Sequence, residues 1–282
     1  MTRKGFCNLP REQAIGVLDQ RILHNTQVLY ATIQSLIEQR IGHYRVSSTI
    51  FPCIGDATLH LRFDDLPSIC SIRANLLGAG NLARQHDITL SSHPDQFNVL
   101  ASYTPQVIER SIKELNHQSD VLDMMGCSQD LSSPMCLHLN KSPDLKQETV
   151  DDYRARFLRA LGRCNAGVRA RLVLENEDKG FWTTANLHRW FGAHRALVYD
   201  NLHDACNPSI SDAIAVSLFR QTWQLHTPVF HWSEGTDAKP RSHADRASFV
   251  PSIVAANADC TWEVELKHKD YAIEHIQQQL LC

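Results

Sequence analysis

The sequence lacks the features that mark several common classes of protein. Its nine cysteines form no C-x-x-C pair, and their odd number argues against a disulfide framework or a zinc knuckle and favours a reducing compartment. No apolar stretch is long enough to span a bilayer, and no signal-peptide segment follows the basic N-terminus. Glycine-rich phosphate loops of the G-x-G-x-x-G or P-loop type are absent as well. We therefore expect a cytoplasmic protein without membrane contact and without an organic cofactor.

Strong net charge is also missing. The 282 residues carry a net charge of −3, so no overall positive field indicates a nucleic-acid partner, although a local basic face is compatible with this average. Hydrophobic residues make up 43% and charged residues 21% of the chain, which is typical of a soluble globular protein. No linker or low-complexity tract divides it. A single domain over residues 1–282 is predicted.

Short β-like runs alternate with helical patterns along the chain. The predicted strands are 3–7, 43–48, 87–93, 135–139, 171–176, 196–200, 228–232 and 260–266. The predicted helices are 10–40, 105–126, 148–167, 207–223, 241–258 and 271–281, with Gly126 and Gly167 as stop signals and an interruption at Pro251. Eight strand–helix units in a chain of this length predict an α/β protein of the (β/α)₈ TIM-barrel class. A doubly wound sheet is the alternative, but it usually carries a glycine-rich phosphate loop.

Histidines and carboxylates occur where the predicted strands end. In a barrel of this class the carboxyl ends of the strands form the functional face. The residues at those ends and in the following loops are His60, His93, His138, Glu175, Asp200, His203, His231, His243 and Glu265. Carboxylates flanked by apolar residues, as Glu175 and Glu265 are, must be paired or bind a cation. The pattern predicts a metal centre rather than a coincidental polar rim.

The chemistry of this donor set narrows the choice of metal and reaction. Imidazoles and carboxylates without a thiolate suit Mn²⁺, Zn²⁺ or Fe²⁺. The ligands are too many for one ion, so two or three ions that share bridging carboxylates are expected. Such clusters serve phosphodiester hydrolysis. Sugar isomerases of the same barrel type also use paired metals, but for those we expect more carboxylates and fewer histidines.

Basic residues are predicted near the same face. They are candidates for contacts with phosphate groups, because such contacts position a protein on a duplex. The six candidates are Arg45, Lys141, Lys179, Arg241, Lys267 and Lys269.

Nine segments in order carry a family resemblance that runs from residue 3 to about residue 273. They are RKGFC (3–7), YRVSSTIFP (44–52), SSHPDQFNVL (91–100), CLHLNK (136–141), LVLENEDK (172–179), VYDNLHD (198–204), FHWSE (230–234), RSHADR (241–246) and WEVELKHKDYAI (262–273). The chain resembles the UV damage endonucleases, a family similar to the apurinic endonuclease IV type of barrel.

This resemblance implies a DNA repair endonuclease. It would cut the phosphodiester bond 5′ of ultraviolet photoproducts (pyrimidine dimers and 6-4 photoproducts) in double-stranded DNA, and abasic sites as well. It implies a divalent metal cluster, with Mn²⁺ as the usual ion and Zn²⁺ or Mg²⁺ as alternatives. The nine strand-end residues are the implied ligands, and Glu175, Glu265 and His231 are the candidates for the catalytic role. We expect a monomer that associates with the nucleoid when it acts.

The resemblance also implies a way of recognising damage. Phe6, Gln96 and Phe97 match residues that enter the duplex where a lesion weakens stacking. Phe6 and Phe97 stand where the family often has tyrosine, and Val229 stands where some relatives carry a lysine.

Three other functions remain open on the sequence alone. The first is an apurinic endonuclease with little preference for photoproducts, and the second is a metal-dependent sugar isomerase. The third is a barrel that binds damaged DNA without cutting it, against which the complete ligand set argues.

Overall fold

The computed structural model describes residues 1–56, 58–236 and 238–280 of the chain. Its helices are α1 Arg3–Cys7, α2 Arg11–Glu38, α3 Ile69–Gln85, α4 Pro105–Met124, α5 Val150–Gly162, α6 Ala166–Arg171, α7 Thr184–Phe191, α8 Asn201–Cys206, α9 Asp212–Gln221, α10 Ser252–Ala255 and α11 Asp270–Leu280. Its strands are β1 His43–Val46, β2 Thr89–Ser92, β3 Met135–Leu137, β4 Leu172–Glu175, β5 Leu197–Val198, β6 Val229–Trp232, β7 Gly235–Thr236, β8 Lys239–His243 and β9 Thr261–Val264. A single 3₁₀ turn at Phe63–Asp65 lies between β1 and α3.

These elements form two compact units. The first comprises Met1–Met135 and Leu158–Arg171, and the second comprises Cys136–Phe157 and the described residues from Leu172 onward. None of the helices in the described part of the chain combines the length and apolarity needed to cross a bilayer. The eight cysteines of the described residues are free thiols.

In the first unit, parallel strands β1 and β2 are paired in register from His43 opposite Thr89 to Val46 opposite Ser92. Helices α2 and α3 pack along each other and bury apolar residues at helical spacing, among them Leu18 and Ile22 of α2 and Leu76 of α3. Gly80 of α3 lies against the end of α4, where an added Cβ would stand 1.8 Å from the carbonyl oxygen of Met125. A glycine at this position therefore permits the close approach of the two helices.

In the second unit, four strands run in the same direction. Strand β4 pairs with β5, and β6 pairs with β9. A bridge from Asp200 to His231 links the end of β5 to β6, where the His231 backbone N–H donates to the Tyr199 carbonyl at 2.8 Å. Because the strands are parallel, their carboxyl ends meet at one edge, and the side chains that follow them are brought together there. The short antiparallel hairpin β7–β8 follows β6 at this edge.

Seven of the predicted strands are confirmed, and one is wrong. Residues 3–7 form helix α1, because the Thr2 hydroxyl accepts a hydrogen bond from the Gly5 N–H at 3.1 Å and caps the first turn. This local capping was missed when the apolar residues of the segment were assigned to a strand.

The predicted helices need several corrections. The helix at 241–258 is wrong: residues 239–243 form β8, and only Ser252–Ala255 is helical, starting directly after Pro251. The stop at Gly126 is confirmed by its φ of +72°. The stop at Gly167 is wrong, because this glycine lies inside α6, where a Cβ would stand 2.3 Å from the Ser119 hydroxyl. Helices α3, α7 and α8 were not predicted, and residue 281 of the predicted last helix lies outside the described residues.

Candidate metal centre

Glu175 is the last residue of β4 and lies at the centre of a cluster of imidazoles. Its side chain is fully buried. Its Oε1 lies 3.0 Å from Nδ1 of His203 and 3.2 Å from Nδ1 of His231, and its Oε2 lies 3.5 Å from Nε2 of His138. The Cys136 thiol donates to Oε2 at 3.3 Å. Since both carboxylate oxygens face basic groups, Glu175 is placed as a bridging ligand would be.

A second group adjoins this cluster through His231. Asp200 follows β5, Glu265 follows β9, and both point to the same ring: Nδ1 of His231 lies 4.0 Å from Asp200 Oδ2 and 3.6 Å from Glu265 Oε1. His243, the last residue of β8, approaches Glu265 Oε2 with its Nε2 at 3.6 Å. The donor atoms of Asp200, His231 and Glu265 lie within 4.8 Å of one another, as do those of His138, Glu175 and His203. The second unit therefore contains two adjacent groups that could each hold a cation.

The backbone around Asp200 is held by its neighbours on β4 and α8. The Asn176 side chain accepts from the Asp200 N–H at 2.8 Å and donates to the Asp200 carbonyl at 3.1 Å. Asp200 is the N-cap of α8, and its Oδ1 accepts from the His203 N–H at 2.6 Å. One carboxylate oxygen is used in this cap, whereas the other, Oδ2, is buried and receives no hydrogen bond from the described residues.

Mutual attraction within the cluster controls its protonation. Burial opposes ionisation of Glu175, but His138, His231 and His203 outweigh burial and hold its pKa well below the usual range. Burial disfavours protonated imidazoles, but the surrounding carboxylates raise the pKa of His203 to about 11 and that of His231 to about 10. Burial and the neighbouring carboxylates Glu175 and Glu265 raise the pKa of Asp200 to about 6, against the opposing effect of His203. At neutral pH the two imidazoles thus carry protons that a cation would replace.

The residues fit a divalent cation. Asp200 Oδ2 is a buried acceptor that receives no hydrogen bond from the described residues. Buried polar atoms normally have a partner, and a cation would supply one here. The donor set combines three carboxylates with four imidazoles, which suits a hard or borderline ion. The seven residues of the second unit that form this set are His138, Glu175, Asp200, His203, His231, His243 and Glu265.

Metal uptake is expected to release protons, so the affinity for Mn²⁺ should rise with pH. Between pH 7 and the pKa values near 10 and 11, loading replaces about two protons, one each from His231 and His203. The apparent affinity should therefore increase by up to about 100-fold per pH unit. Titration calorimetry at pH 7 in buffers of different ionisation enthalpy measures the release directly. Replacing the exposed His194 by glutamine should leave the release unchanged, and an absence of release by the wild type would contradict the prediction.

Two predicted ligands belong to the first unit. His93 directly follows β2 and is half-buried, with Nδ1 3.2 Å from the Pro94 carbonyl oxygen. His60 is exposed in the loop between β1 and α3, with a positive φ of 49°, and its carbonyl accepts from Arg11 at 3.5 Å. Their membership of the ligand set stays a prediction.

The residues proposed for damage recognition differ in exposure. Gln96 and Phe97 lie on a turn that Asn98 closes by donating to the Asp95 carbonyl, and the Phe97 side chain is 68% exposed. Phe6, in contrast, is 4% exposed on α1. The described conformation thus presents Gln96 and Phe97 to a ligand and keeps Phe6 covered.

The predicted phosphate contacts are placed unequally. Arg241 pairs with Asp178 at 3.4 Å and Lys267 with Asp245 at 3.6 Å, although each cation remains about half exposed. Lys179 and Lys269 are exposed, whereas Arg45 on β1 and Lys141 after β3 are half-buried. Contact of these six residues with DNA stays a prediction.

Three residues of the centre were missed by reasoning on the sequence. The Cys136 thiol contacts Glu175, and the Asn176 side chain contacts the backbone of Asp200, as described above. Glu263 on β9 is buried and lies 3.4 Å from Nε2 of His231. A signal for Glu263 was available, because it precedes Glu265 by two residues, and alternate residues of a strand point to the same face.

Comparison with known proteins shows which family this chain matches. A family model described as UV-endonuclease UvdE matches residues 7–281. The UV DNA damage endonuclease of Nostoc sp. strain PCC 7120 is 27% identical over 288 residues, which cover 98% of this chain and 84% of the relative.

Two solved structures are similar in fold. SacUVDE superposes with a TM-score of 0.79 at 23% identity, over 93% of this chain and 88% of that one. Endonuclease IV from Thermus thermophilus superposes with a TM-score of 0.61 at 12% identity, over 90% of this chain and 94% of that one. Both have the TIM-barrel fold, so the predicted fold class is confirmed.

Proposed function

The chain belongs to the UV-endonuclease UvdE family, and from that membership we propose that its substrate is double-stranded DNA carrying ultraviolet photoproducts. It is an endonuclease, a hydrolase acting on DNA. The bond cut is the phosphodiester 5′ of a pyrimidine dimer or 6-4 photoproduct, and abasic sites are further substrates. The Nostoc relative, which covers nearly the whole chain, is named for UV DNA damage, and this supports the lesion class.

One observation carries the chemical part of the proposal: three carboxylates and four imidazoles converge at one edge of parallel strands. The two groups Asp200–His231–Glu265 and His138–Glu175–His203 would hold two ions. His60 and His93 stay predicted ligands, from the sequence alone. Mn²⁺ is the ion we expect. When bound, such ions supply water activation and stabilise the charge on the entering and leaving oxygens.

The burial of the carboxylates favours the binding of a cation at this site. Glu175 and Asp200 are fully buried, which keeps their carboxylates out of bulk water and strengthens their attraction for a cation. His243 is the most exposed of the seven, with a side chain 34% accessible, compared with 16% for His203. We therefore expect the phosphate to approach from the His243 side, since Glu175, His231 and Glu265 are much less exposed.

Lesion recognition is assigned to the exposed turn after β2. Phe97 offers a planar apolar surface and Gln96 an amide, and together they can fill the space left when damaged bases leave the stack. A lesion lowers the cost of unstacking, so insertion selects damaged DNA.

A cleavage assay on three labelled duplexes tests the proposal. One duplex carries a thymine dimer, one an abasic site and one no damage, and each is incubated with the Mn²⁺-loaded protein. Cutting 5′ of the dimer is the expected result. Cutting of the abasic duplex alone would replace the proposal by an apurinic endonuclease. Failure to cut any duplex, with metal loading verified, would refute it.

Replacement of both Gln96 and Phe97 by alanine is expected to weaken discrimination between damaged and undamaged DNA. Stacking on one aromatic side chain is worth about 1–3 kcal/mol, so the ratio of kcat/KM for the two duplexes should fall about 10-fold or more. Tyr103→Ala is a matched control, because Tyr103 is another exposed aromatic residue of the same unit. Unchanged discrimination in the double variant would refute the assignment of these two residues.

A further inference from the structure

The ring of His231 lies between carboxylates on both of its nitrogens. On one side, Nδ1 faces Glu175 at 3.2 Å, Glu265 at 3.6 Å and Asp200 at 4.0 Å. On the other side, Nε2 lies 3.4 Å from Oε2 of Glu263. The three carboxylates on the Nδ1 side belong to the candidate metal centre, whereas Glu263 is in neither of the two cation-binding groups of the second unit described above.

The strand register brings Glu263 to this position. Strands β6 and β9 are parallel, and His231 is the direct partner of Glu263 in the ladder. Glu263 and Glu265 are two residues apart, so both side chains leave the strand on the same face, with Glu263 nearer its amino end. The Glu263 side chain is only 6% accessible, and a carboxylate at that depth requires a polar or charged partner.

We infer that Glu263 is a positioning residue for the metal centre: it accepts the Nε2–H of His231 and thereby directs the Nδ1 lone pair at the cation. A neutral imidazole has one N–H and one lone pair, and the acceptor facing one nitrogen decides which nitrogen can bind a metal. Histidine ligands usually donate their other N–H to a carboxylate or a backbone carbonyl. The inference rests on the proposed metal centre.

The neighbouring histidine of the cluster is arranged differently. Nδ1 of His203 lies 3.0 Å from the Asn176 carbonyl oxygen, so a backbone acceptor stands beside one nitrogen of that ring. That nitrogen also faces Glu175, whereas in His231 the acceptor Glu263 lies at the nitrogen opposite the one that faces Glu175. The 3.4 Å separation between Nε2 and Oε2 of Glu263 is a few tenths of an ångström longer than a normal N–H···O bond, so the inferred hydrogen bond requires the two atoms to move closer by that amount.

The tautomer of His231 can be measured by nitrogen NMR. The protein is labelled with ¹⁵N-histidine and loaded with diamagnetic Zn²⁺, and His231→Asn identifies the resonances. We expect the wild type to carry its proton on Nε2. Glu263→Gln should keep this tautomer, since its amide oxygen still accepts, whereas Glu263→Leu should lose the preference. A wild type protonated on Nδ1 would overturn the inference even if the leucine variant did not fold.

Metal affinity provides the second readout. By calorimetry, Glu263→Leu should bind Mn²⁺ about 10- to 100-fold more weakly than the wild type, and Glu263→Gln should lose much less. The exposed Glu274→Gln should match the wild type. Equal losses in the glutamine and leucine variants would show that charge rather than hydrogen bonding matters, and would overturn the inference.

The same measurements separate this inference from the proposed function. If the wild type binds no metal, the proposed centre fails and the inference fails with it. If the wild type loads metal and cuts dimer-containing DNA while Glu263→Leu keeps its tautomer and affinity, only the inference is wrong.

Discussion

Replacement of Glu175 by glutamine is expected to abolish cutting of dimer-containing DNA. Both oxygens of this fully buried carboxylate face imidazoles, so the residue is the candidate bridge of the centre. Glutamine keeps the volume but removes the charge and one acceptor. Metal ions contribute several kcal/mol to stabilising charge in the transition state. A loss of about 4 kcal/mol corresponds to a decrease in kcat of about 1,000-fold.

The variant should stay folded, and this makes the test informative. Without the carboxylate, the pKa values of His203 and His231 should fall, so the two rings give up protons instead of remaining as unpaired buried charges. Glu148→Gln is a matched control, since Glu148 is another little-exposed carboxylate of the second unit and pairs with Arg156. Circular dichroism, metal analysis and the rate of strand cutting should be measured together. Cutting at the wild-type rate by Glu175→Gln would refute its role in the centre.

Replacement of His231 by alanine should also abolish cutting, but by a different physical route. The ring is within 4.0 Å of carboxylates on four residues, so its removal deletes a proposed ligand and the positive charge that attracts these carboxylates. We expect metal binding to weaken by more than about 100-fold and kcat to fall by about 1,000-fold. DNA binding should decrease much less, because it depends mainly on phosphate contacts made elsewhere.

Calorimetry with Mn²⁺ and fluorescence anisotropy with a dimer-containing duplex separate these effects. His226→Ala is a suitable control, because His226 is a half-buried histidine in the loop before β6 that belongs to no candidate ligand group among the described residues. If His231→Ala weakened DNA binding as much as metal binding, the ring would have a role in holding DNA, and its assignment as a metal ligand would be wrong.

Much of the candidate centre could be predicted because its signals are local. A buried parallel strand is a short apolar run, and a histidine or carboxylate at its end stands out, as Glu175 does after LVL. Asp200 and His231 were found by the same reasoning. The errors arose where a local cap or a tertiary contact prevailed. Thr2 caps a helix at residues 3–7. Gly167 is a glycine because a side chain there would collide with Ser119, and this contact cannot be recognised from the sequence.

Seven of the strands and the residue types at their ends were predictable from the sequence alone, since strand period and the chemistry of the side chains need no tertiary contact. Only the tertiary structure decided which atoms meet. The register of β6 against β9 places Glu263 opposite His231, and Asn176 and the cap of α8 orient Asp200. The Asn176–Asp200 and His231–Glu263 pairings join residues that are 24 or more positions apart along the chain. A one-residue shift in the register of β9 would turn the Glu263 side chain to the other face of the sheet.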